Sequence, residues 1–293
     1  MPELPEVETV ARRLQARLPG AEIRAAEVLW PRTIAYPQPP ERFALEVSGG
    51  VVGRVGRRAK SVVLYLDDGR VLTVALRMTG ALIVAAPGTA PDPHARVVFD
   101  LADGRQLRFR DARKFGRIGL YPGRGRRRVA DVFARHGPEP LAPSFSAARL
   151  ASRLQRRSAR LKTLLLDQSF VAGVGNIYAD EALWRARLHP LRRADTLTDD
   201  EIRRLHRGIR AALREGLAGG GASYRDYVDP DGQPGLAAER MRVYRRTGEP
   251  CFRCGRPIER IVVNARATHF CPGCQPAPMG PAPVEPVPVD QRP

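Results

Sequence analysis

The sequence predicts an α+β chain of several domains: a β-sandwich led by one α-helix, a helical middle, and a C-terminal β-hairpin zinc finger. Three observations predict it. Short β-rich runs with turn signals fill residues 20–121, and helical periodicity replaces them after the cluster Pro138, Pro140, Pro143. All four cysteines lie between 251 and 274 as two Cys-x-x-Cys pairs. Strands followed by helices, rather than alternating with them, argue against a parallel α/β sheet. At 293 residues the chain is long enough to bury more than one core.

The first element is a helix. Pro5 suits a first turn, where a missing N–H costs nothing, and Val7, Val10, Leu14 and Leu18 share one stripe. Strands are expected at 23–29, 51–55, 61–66, 71–76, 82–84, 96–101 and 106–109, with hairpin signals at Asp68-Gly69 and Asp103-Gly104. Helices are expected over 147–166 and 198–213. The second opens with the capping box Thr198 to Glu201 and carries Ile202, Leu205, Ile209 and Leu213 on one face. Between them, Gly173-Val174-Gly175-Asn176 leads into a third helix at Ile177. Residues 216–235, with Gly219-Gly220-Gly221 and Asp229-Pro230-Asp231-Gly232, are too glycine-rich for regular structure, and so long a loop is functional or disordered. Strands at 261–263 and 269–270 form the cysteine-bearing hairpin. The last eighteen residues hold seven prolines and read as a disordered tail. The expected domains are 1–137, 138–240 with its loop 216–235, 241–275, and the tail 276–293.

A formal net charge of +18 makes the surface repel itself unless a polyanion is near, which favours nucleic acid as the partner. A membrane surface fits less well, because no basic helix carries a wide aromatic face. No apolar run approaches the length of a membrane span, and the acidic start is unlike a signal peptide, so a cytoplasmic protein is expected. Only three of 49 basic residues are lysines: Lys60, Lys114 and Lys162. In so arginine-rich a chain, a retained lysine hints that an amine able to lose its proton is needed.

The chemistry begins at MPELPEVETV. Once Met1 is trimmed, Pro2 is a secondary amine beside the carboxylate of Glu3, able to attack an electrophilic carbon and form an iminium. Cys251, Cys254, Cys271 and Cys274 offer four thiolates to one structural Zn²⁺, with two disulfides as the alternative that a reducing compartment disfavours. Arg266 sits in the hairpin away from the knuckles, where it can meet a phosphate or merely be solvated. The Gly173–Asn176 turn puts backbone N–H groups where an anion can bind, and Arg149, Arg153, Arg156, Arg157, Arg160 and Lys162 form a run without an acid. Lys60 follows Arg57-Arg58-Ala59 at a strand entrance. Met78 and Phe115 lie at turns beside cations, as residues that wedge into a base stack do, although singly each is as easily core.

MPELPEVET, RRAK before a strand, GVGNIYADE, and CFRC followed by ARATHFCPGC, in that order, resemble the bacterial formamidopyrimidine-DNA glycosylase family. The resemblance reaches from the start to residue 275. It implies a helix-two-turns-helix fold for the helical domain and a monomeric base-excision-repair enzyme that acts on duplex DNA containing oxidised purines such as 8-oxoguanine. By the same resemblance Pro2 attacks C1′, Glu3 supplies the proton that accompanies base loss, Lys60 assists β-elimination and Arg266 δ-elimination. His94, Arg113, Arg157, Lys162 and Asn176 match DNA contacts; Met78, Arg113 and Phe115 match the residues that fill the emptied stack. Loop 216–235 is similar to the one that covers the flipped purine.

Two departures stand out: Ala112 and Lys114 occupy positions where the family commonly has proline and arginine, and Thr79 follows the wedge methionine. Two rivals remain at this level. The endonuclease VIII branch shares the chemistry but prefers oxidised pyrimidines, and a non-catalytic zinc-finger DNA-binding protein would account for the charge and the cysteines alone.

Overall fold

A computed structural model describes residues 1–123 and 129–278. All but the first three residues of the expected tail lie outside the described residues. Contacts divide the chain into two units, Met1–Arg135 with Gly216–Glu239, and His136–Glu215 with Arg240–Pro293. Among the described residues no helix is long and apolar enough to cross a membrane.

The first unit opens with α1 (Leu4–Gln15), whose stripe Leu4, Val7, Val10, Ala11 and Leu14 is buried. It continues through β1 (Glu22–Val28), β2 (Ile34–Tyr36), α2 (Pro40–Val47), β3 (Gly50–Arg58), β4 (Ser61–Leu66) and β5 (Val71–Ala75). Then come β6 (Gly80–Ala85), β7 (Ala95–Leu101), β8 (Gln106–Asp111), β9 (Arg117–Tyr121) and the short α3 (Val129–Phe133).

The strands pair in the order β2-β9-β5-β4-β3-β1-β7-β8-β6. β1 and β3 share only the pairs Glu22↔Val51 and Ile23↔Gly50, so this narrow joint divides the ladder into the two layers of a β-sandwich. Both layers feed one core, in which Val62, Leu64, Leu72 and Val74 meet Val97, Phe99, Leu107 and Phe109 under α1. Removing each such side chain from water stabilises the fold by roughly 1.5–3 kcal/mol.

All seven expected strands are present within a few residues. The expected turns at Gly69 and Gly104 take φ of 86° and 85°, a region that glycine enters without strain. The elements of this unit not foreseen are β2, α2, β9 and the short α3. β2 pairs in parallel with β9, a contact between residues some eighty positions apart that leaves no local pattern.

The second unit contains α4 (Ala147–Leu154), α5 (Leu161–Leu166), α6 (Asn176–Ala186) and most of α7 (Asp199–Ala218), then β10 (Glu259–Val263) and β11 (Arg266–Phe270). The single helix expected over 147–166 is two helices. It breaks because Leu161 N and Lys162 N donate to the carbonyls of Arg192 and Pro190, and Ala159 O accepts from Ala194 N. A backbone committed to a distant segment cannot continue the i to i−4 ladder.

The capping box of α7 forms as expected: Glu201 N donates to Thr198 Oγ1 at 3.3 Å and Thr198 N to Glu201 Oε2 at 2.9 Å. Gly208 lets α7 lie against α6, since a Cβ there would stand 2.7 Å from Ala182 O.

Candidate active site and nucleic-acid interface

In the first unit the reactive terminus is ordered. Pro2 and Glu3 are buried while Met1 is 45% exposed. Glu3 caps α1, and its amide donates to Glu6 Oε2 at 2.8 Å. Because a peptide unit is planar, this bond also fixes the carbonyl of Pro2. The second oxygen of Glu6 accepts from Ala222 N at 2.8 Å, and Tyr227 Oη donates to the carbonyls of Gly220 and Glu6 at 3.0 and 3.3 Å. Burial, with Glu6 beside it, raises the Tyr227 phenol, which therefore stays protonated and a donor. The glycine-rich segment thus packs on the head of α1.

Lys60 lies in the two-residue hairpin between β3 and β4, after Ala59 at φ 52°. Arg57 Nη1 braces this turn by donating to Ala59 O at 2.9 Å.

The two wedge turns are built around a residue that the sequence reading did not single out, Asp111. It is buried; its carboxylate accepts from Gly116 N at 2.7 Å, from Arg113 N at 3.3 Å, and from Thr79 Oγ1. Thr79 therefore ties the Met78 turn to the Arg113–Phe115 turn. Asp111 N in turn donates to His94 O at 2.8 Å, which links the exposed His94 to the same node. Phe115 is 49% exposed, with the Arg113 guanidinium 5.0 Å from its ring centre, and Met78 is half-buried. The substituted Lys114 adopts φ 61° and sets its ammonium 3.9 Å from the centre of the Trp30 ring.

In the second unit Arg149, Arg156, Arg157 and Arg160 are exposed, but the expected basic face is not continuous. Arg153 turns inward to the carbonyls of Ser169 and Phe170 at 2.7 and 3.1 Å. Burial and the charges of Arg149 and Arg157 lower its pKa, a sign of the positive potential there. Lys162 corrects an expectation. It is 0% exposed, and its Nζ donates to Asp180 Oδ1 at 2.5 Å and Asn176 O at 2.9 Å, so it has no surface with which to meet a phosphate.

Asp180 also accepts from His269 N at 2.9 Å, and Asn176 Nδ2 donates to Ala267 O at 2.9 Å. Asn176 is the first residue of α6 rather than its cap, which is Gly175. Together these bonds lash β11 to α5 and α6. The hairpin tip, Asn264-Ala265 at φ 49° and 56°, is a two-residue turn of the kind that matches strand twist; Asn264 Nδ2 holds it to Thr163 Oγ1 at 3.0 Å. Arg266 stands exposed just beyond it.

The four cysteine sulfurs lie within 4.8 Å of one another, with Cys251–Cys274 at 3.9 Å and Cys254–Cys271 at 3.4 Å. These separations are too long for disulfides, and a tetrahedral Zn²⁺ with bonds of about 2.3 Å needs sulfurs about 3.8 Å apart. The thiols also respond as four crowded acids. Burial opposes ionisation of Cys251, but the Arg253 amide and the Trp184 indole bring its pKa down to about 6; Cys274 is pushed up to about 12 by burial and its neighbouring thiols. A divalent cation resolves that crowding. The donor set therefore fits one structural Zn²⁺.

Residues 1–118 match the formamidopyrimidine-DNA glycosylase N-terminal domain, 136–227 the formamidopyrimidine-DNA glycosylase H2TH domain, and 248–277 the zinc finger found in FPG and IleRS. The formamidopyrimidine-DNA glycosylase of Chloroflexus aurantiacus is 49% identical over 276 residues, covering 94% of this chain and 98% of that protein. The chain belongs to the formamidopyrimidine-DNA glycosylase family.

Solved structures agree. The crystal structure of the MutM (Fpg) protein of Thermus thermophilus has a TM-score of 0.83 at 43% identity, covering 94% of this chain and 98% of that one. Lactococcus lactis Fpg in complex with N7-benzyl-Fapy-dG-containing DNA has a TM-score of 0.87 at 35% identity, covering 94% and 100%.

This formamidopyrimidine-DNA glycosylase family member thus rests on three buried carboxylates that the sequence reading passed over, Glu6, Asp111 and Asp180. The signal was faint, because each also has a partner well removed in sequence: Ala222 N for Glu6, Thr79 Oγ1 for Asp111, and Lys162 Nζ and His269 N for Asp180. One expected result follows for Asp180. Replacing it by alanine strands a fully buried ammonium, so the second unit is destabilised by about 3–5 kcal/mol. Urea unfolding monitored by tryptophan fluorescence checks this; a loss below about 1 kcal/mol contradicts it.

Proposed function

We propose that this chain is a base-excision-repair glycosylase that removes oxidised purines from duplex DNA and then cleaves the abasic strand through a Schiff base on Pro2. The observation that carries this reading is the ordered terminus: Pro2 and Glu3 are buried at the head of α1, with the Glu3 amide held by Glu6. Removal of Met1 leaves a secondary amine in a fixed place. An α-amino group has an ordinary pKa of about 8, so a useful fraction is neutral and nucleophilic near pH 7.

A base inside the stack hides C1′, so the nucleotide must first be extruded, and unstacking costs a few kcal/mol. Met78, Arg113 and Phe115 fill the gap, braced by Asp111, while His94 and Arg157 contact phosphates. The lone pair of Pro2 attacks C1′ as the glycosidic bond breaks, and the base leaves with the bonding electrons and takes up the proton that the attacking amine sheds. The nitrogen lone pair so regained expels the sugar-ring oxygen, which receives a proton from Glu3, and the ring opens to the iminium. The iminium acidifies C2′; loss of that proton expels the 3′ phosphate, with Lys60 placed as proton donor and phosphate contact. Arg266 serves the second elimination, which releases the sugar fragment and leaves a one-nucleotide gap with phosphate ends. Asn176 holds the hairpin that presents Arg266, and Lys162 acts through Asp180 as a positioning residue. Such an enzyme works at the cytoplasmic chromosome.

A second reading, preference for oxidised pyrimidines, is motivated by the Lactococcus lactis relative, which has been solved with oxidised-pyrimidine-containing DNA. Single-turnover excision from duplexes carrying 8-oxoguanine or thymine glycol decides between them. The 8-oxoguanine duplex is expected to react faster, and faster release of thymine glycol overturns the purine assignment.

A further inference from the structure

No residue assigned above to DNA or to the chemistry lines the hollow between α6, α7 and the first Cys-x-x-Cys knuckle. It has a volume of about 460 Å³, a size that takes up a small ligand or a few side chains, and it lies wholly in the second unit. Asn176 begins α6 at the other end: at 1.5 Å per residue, Trp184 is about 12 Å further along that helix. The floor is apolar, because Gly208 and Ala211, one turn apart on α7, leave room beside the buried Trp184.

The rim is cationic, with five arginines against one acid, Glu215. Two of the five are neutralised. Arg185 pairs with Glu181 at 2.7 Å and also with Glu215; Arg204 pairs with Asp200 while its Nε donates to Ala186 O at 3.2 Å. Arg207, Arg242 and Arg253 have no ion-pair partner among the described residues. Two of these three are held by stacking. The Arg253 guanidinium lies 3.8 Å from the centre of the Trp184 ring and donates to Trp184 O at 2.7 Å. That of Arg242 lies 5.2 Å from the ring centre of Phe252, which is 62% exposed. A guanidinium fixed against a ring keeps edge N–H groups for a planar acceptor and loses little further freedom on binding one.

The backbone of the hollow offers a phosphate little. The α7 amides that line it are inside the helical ladder, Arg242 N donates to Glu181 Oε1 at 2.9 Å, and Arg253 N points to Cys251 Sγ at 3.5 Å. No cradle of open N–H groups is left of the kind that holds phosphate. Guanidinium groups spread around an apolar floor instead match several carboxylates flanking an apolar side chain. We propose that this hollow is a docking site for an acidic peptide segment of a partner protein, with its carboxylates on Arg207, Arg242 and Arg253 and an apolar side chain seated on Gly208 and Ala211. Such a partner binds the enzyme at the end of α6 remote from Asn176, so it does not have to leave for DNA to be held.

Fluorescence anisotropy on the full zinc-loaded chain tests the inference, with a fluorescein-labelled peptide of four aspartates, a leucine and a phenylalanine as the probe. Salt is held at about 0.15 M, where charges more than about 8 Å apart are largely screened. The wild-type protein is expected to bind the peptide, and Arg207→Glu and Arg242→Glu each to bind it at least about fivefold more weakly, through loss of charge-assisted hydrogen bonds. Ala211→Gln, which fills the floor without altering the charge, is expected to weaken binding by a similar factor. Arg24→Glu makes the same change of charge at an exposed residue of β1 and is expected to shift affinity by less than about twofold. All four variants should keep the zinc content and circular dichroism of the wild type. No binding by the wild type below about 1 mM, an equal loss in Arg24→Glu, or undiminished binding in the Arg207 and Ala211 variants overturns the site. Displacement of the peptide by one equivalent of undamaged duplex DNA marks the hollow as a nucleic-acid contact and overturns it too.

Discussion

Removing the metal with a chelator, or replacing Cys254 by serine, is expected to unfold the C-terminal hairpin and reduce DNA affinity at least a hundredfold. Among the described residues the apolar cluster beneath it consists of Trp184, Val243, Cys251, Ile258 and Cys271, with Cys274 against it, and three of those six belong to the cysteine set that fits the metal. So small a core cannot offset the conformational entropy of some thirty residues, at roughly 1–2 kcal/mol each. In zinc-finger peptides, metal binding supplies about 10–16 kcal/mol of apparent free energy near neutral pH, and that is folding free energy.

The loss spreads beyond the module. Ala267 O holds Asn176 Nδ2, and His269 N satisfies Asp180 Oδ2, so an unfolded β11 takes a partner from each of these two atoms of α6 and carries Arg266 away. Bound zinc, circular dichroism and a gel-shift titration should fall together on chelation. Undiminished DNA affinity in protein shown to be zinc-free contradicts the assignment.

Much of this was legible in the chain because the physics is local. The apolar stripe of α1, the hairpin glycines at 69 and 104, the capping box at Thr198 and the paired Cys-x-x-Cys knuckles each depend on neighbours within a turn or a hairpin. What stayed hidden depends on distant partners. Leu150, Leu154, Leu161, Leu164 and Leu165 keep an apolar pattern across 147–166, and only the commitment of 159–162 to 190–194 breaks the helix. Lys162 looked like a phosphate ligand by composition, because nothing near it in sequence announces Asp180 eighteen residues on. Glu6 drew no separate notice, since its second partner is 216 residues away. The wedge pair illustrates both cases. Met78 and Phe115 could be placed at turns, but not the buried Asp111 that joins the turns through Thr79.

The central claim is that the N-terminal amine of Pro2 carries the chemistry, with Glu3 as proton donor. Proton transfer by a positioned acid is worth about a hundred- to ten-thousandfold in rate, so the conservative Glu3→Gln, which keeps the shape and removes the proton, is expected to lower base excision by at least a hundredfold. Pro2→Gly keeps a terminal amine but loses the secondary nitrogen and the ring that is buried at the head of α1, and only a weak residue of trapping is expected. The direct measurement is borohydride reduction of the protein, freed of Met1, on duplex DNA carrying 8-oxoguanine, with the covalent complex quantified by denaturing electrophoresis. Wild-type protein is predicted to form a stable one-to-one adduct that all but disappears in both variants; an adduct of undiminished yield in Pro2→Gly and Glu3→Gln would show that the nucleophile and the proton donor lie elsewhere.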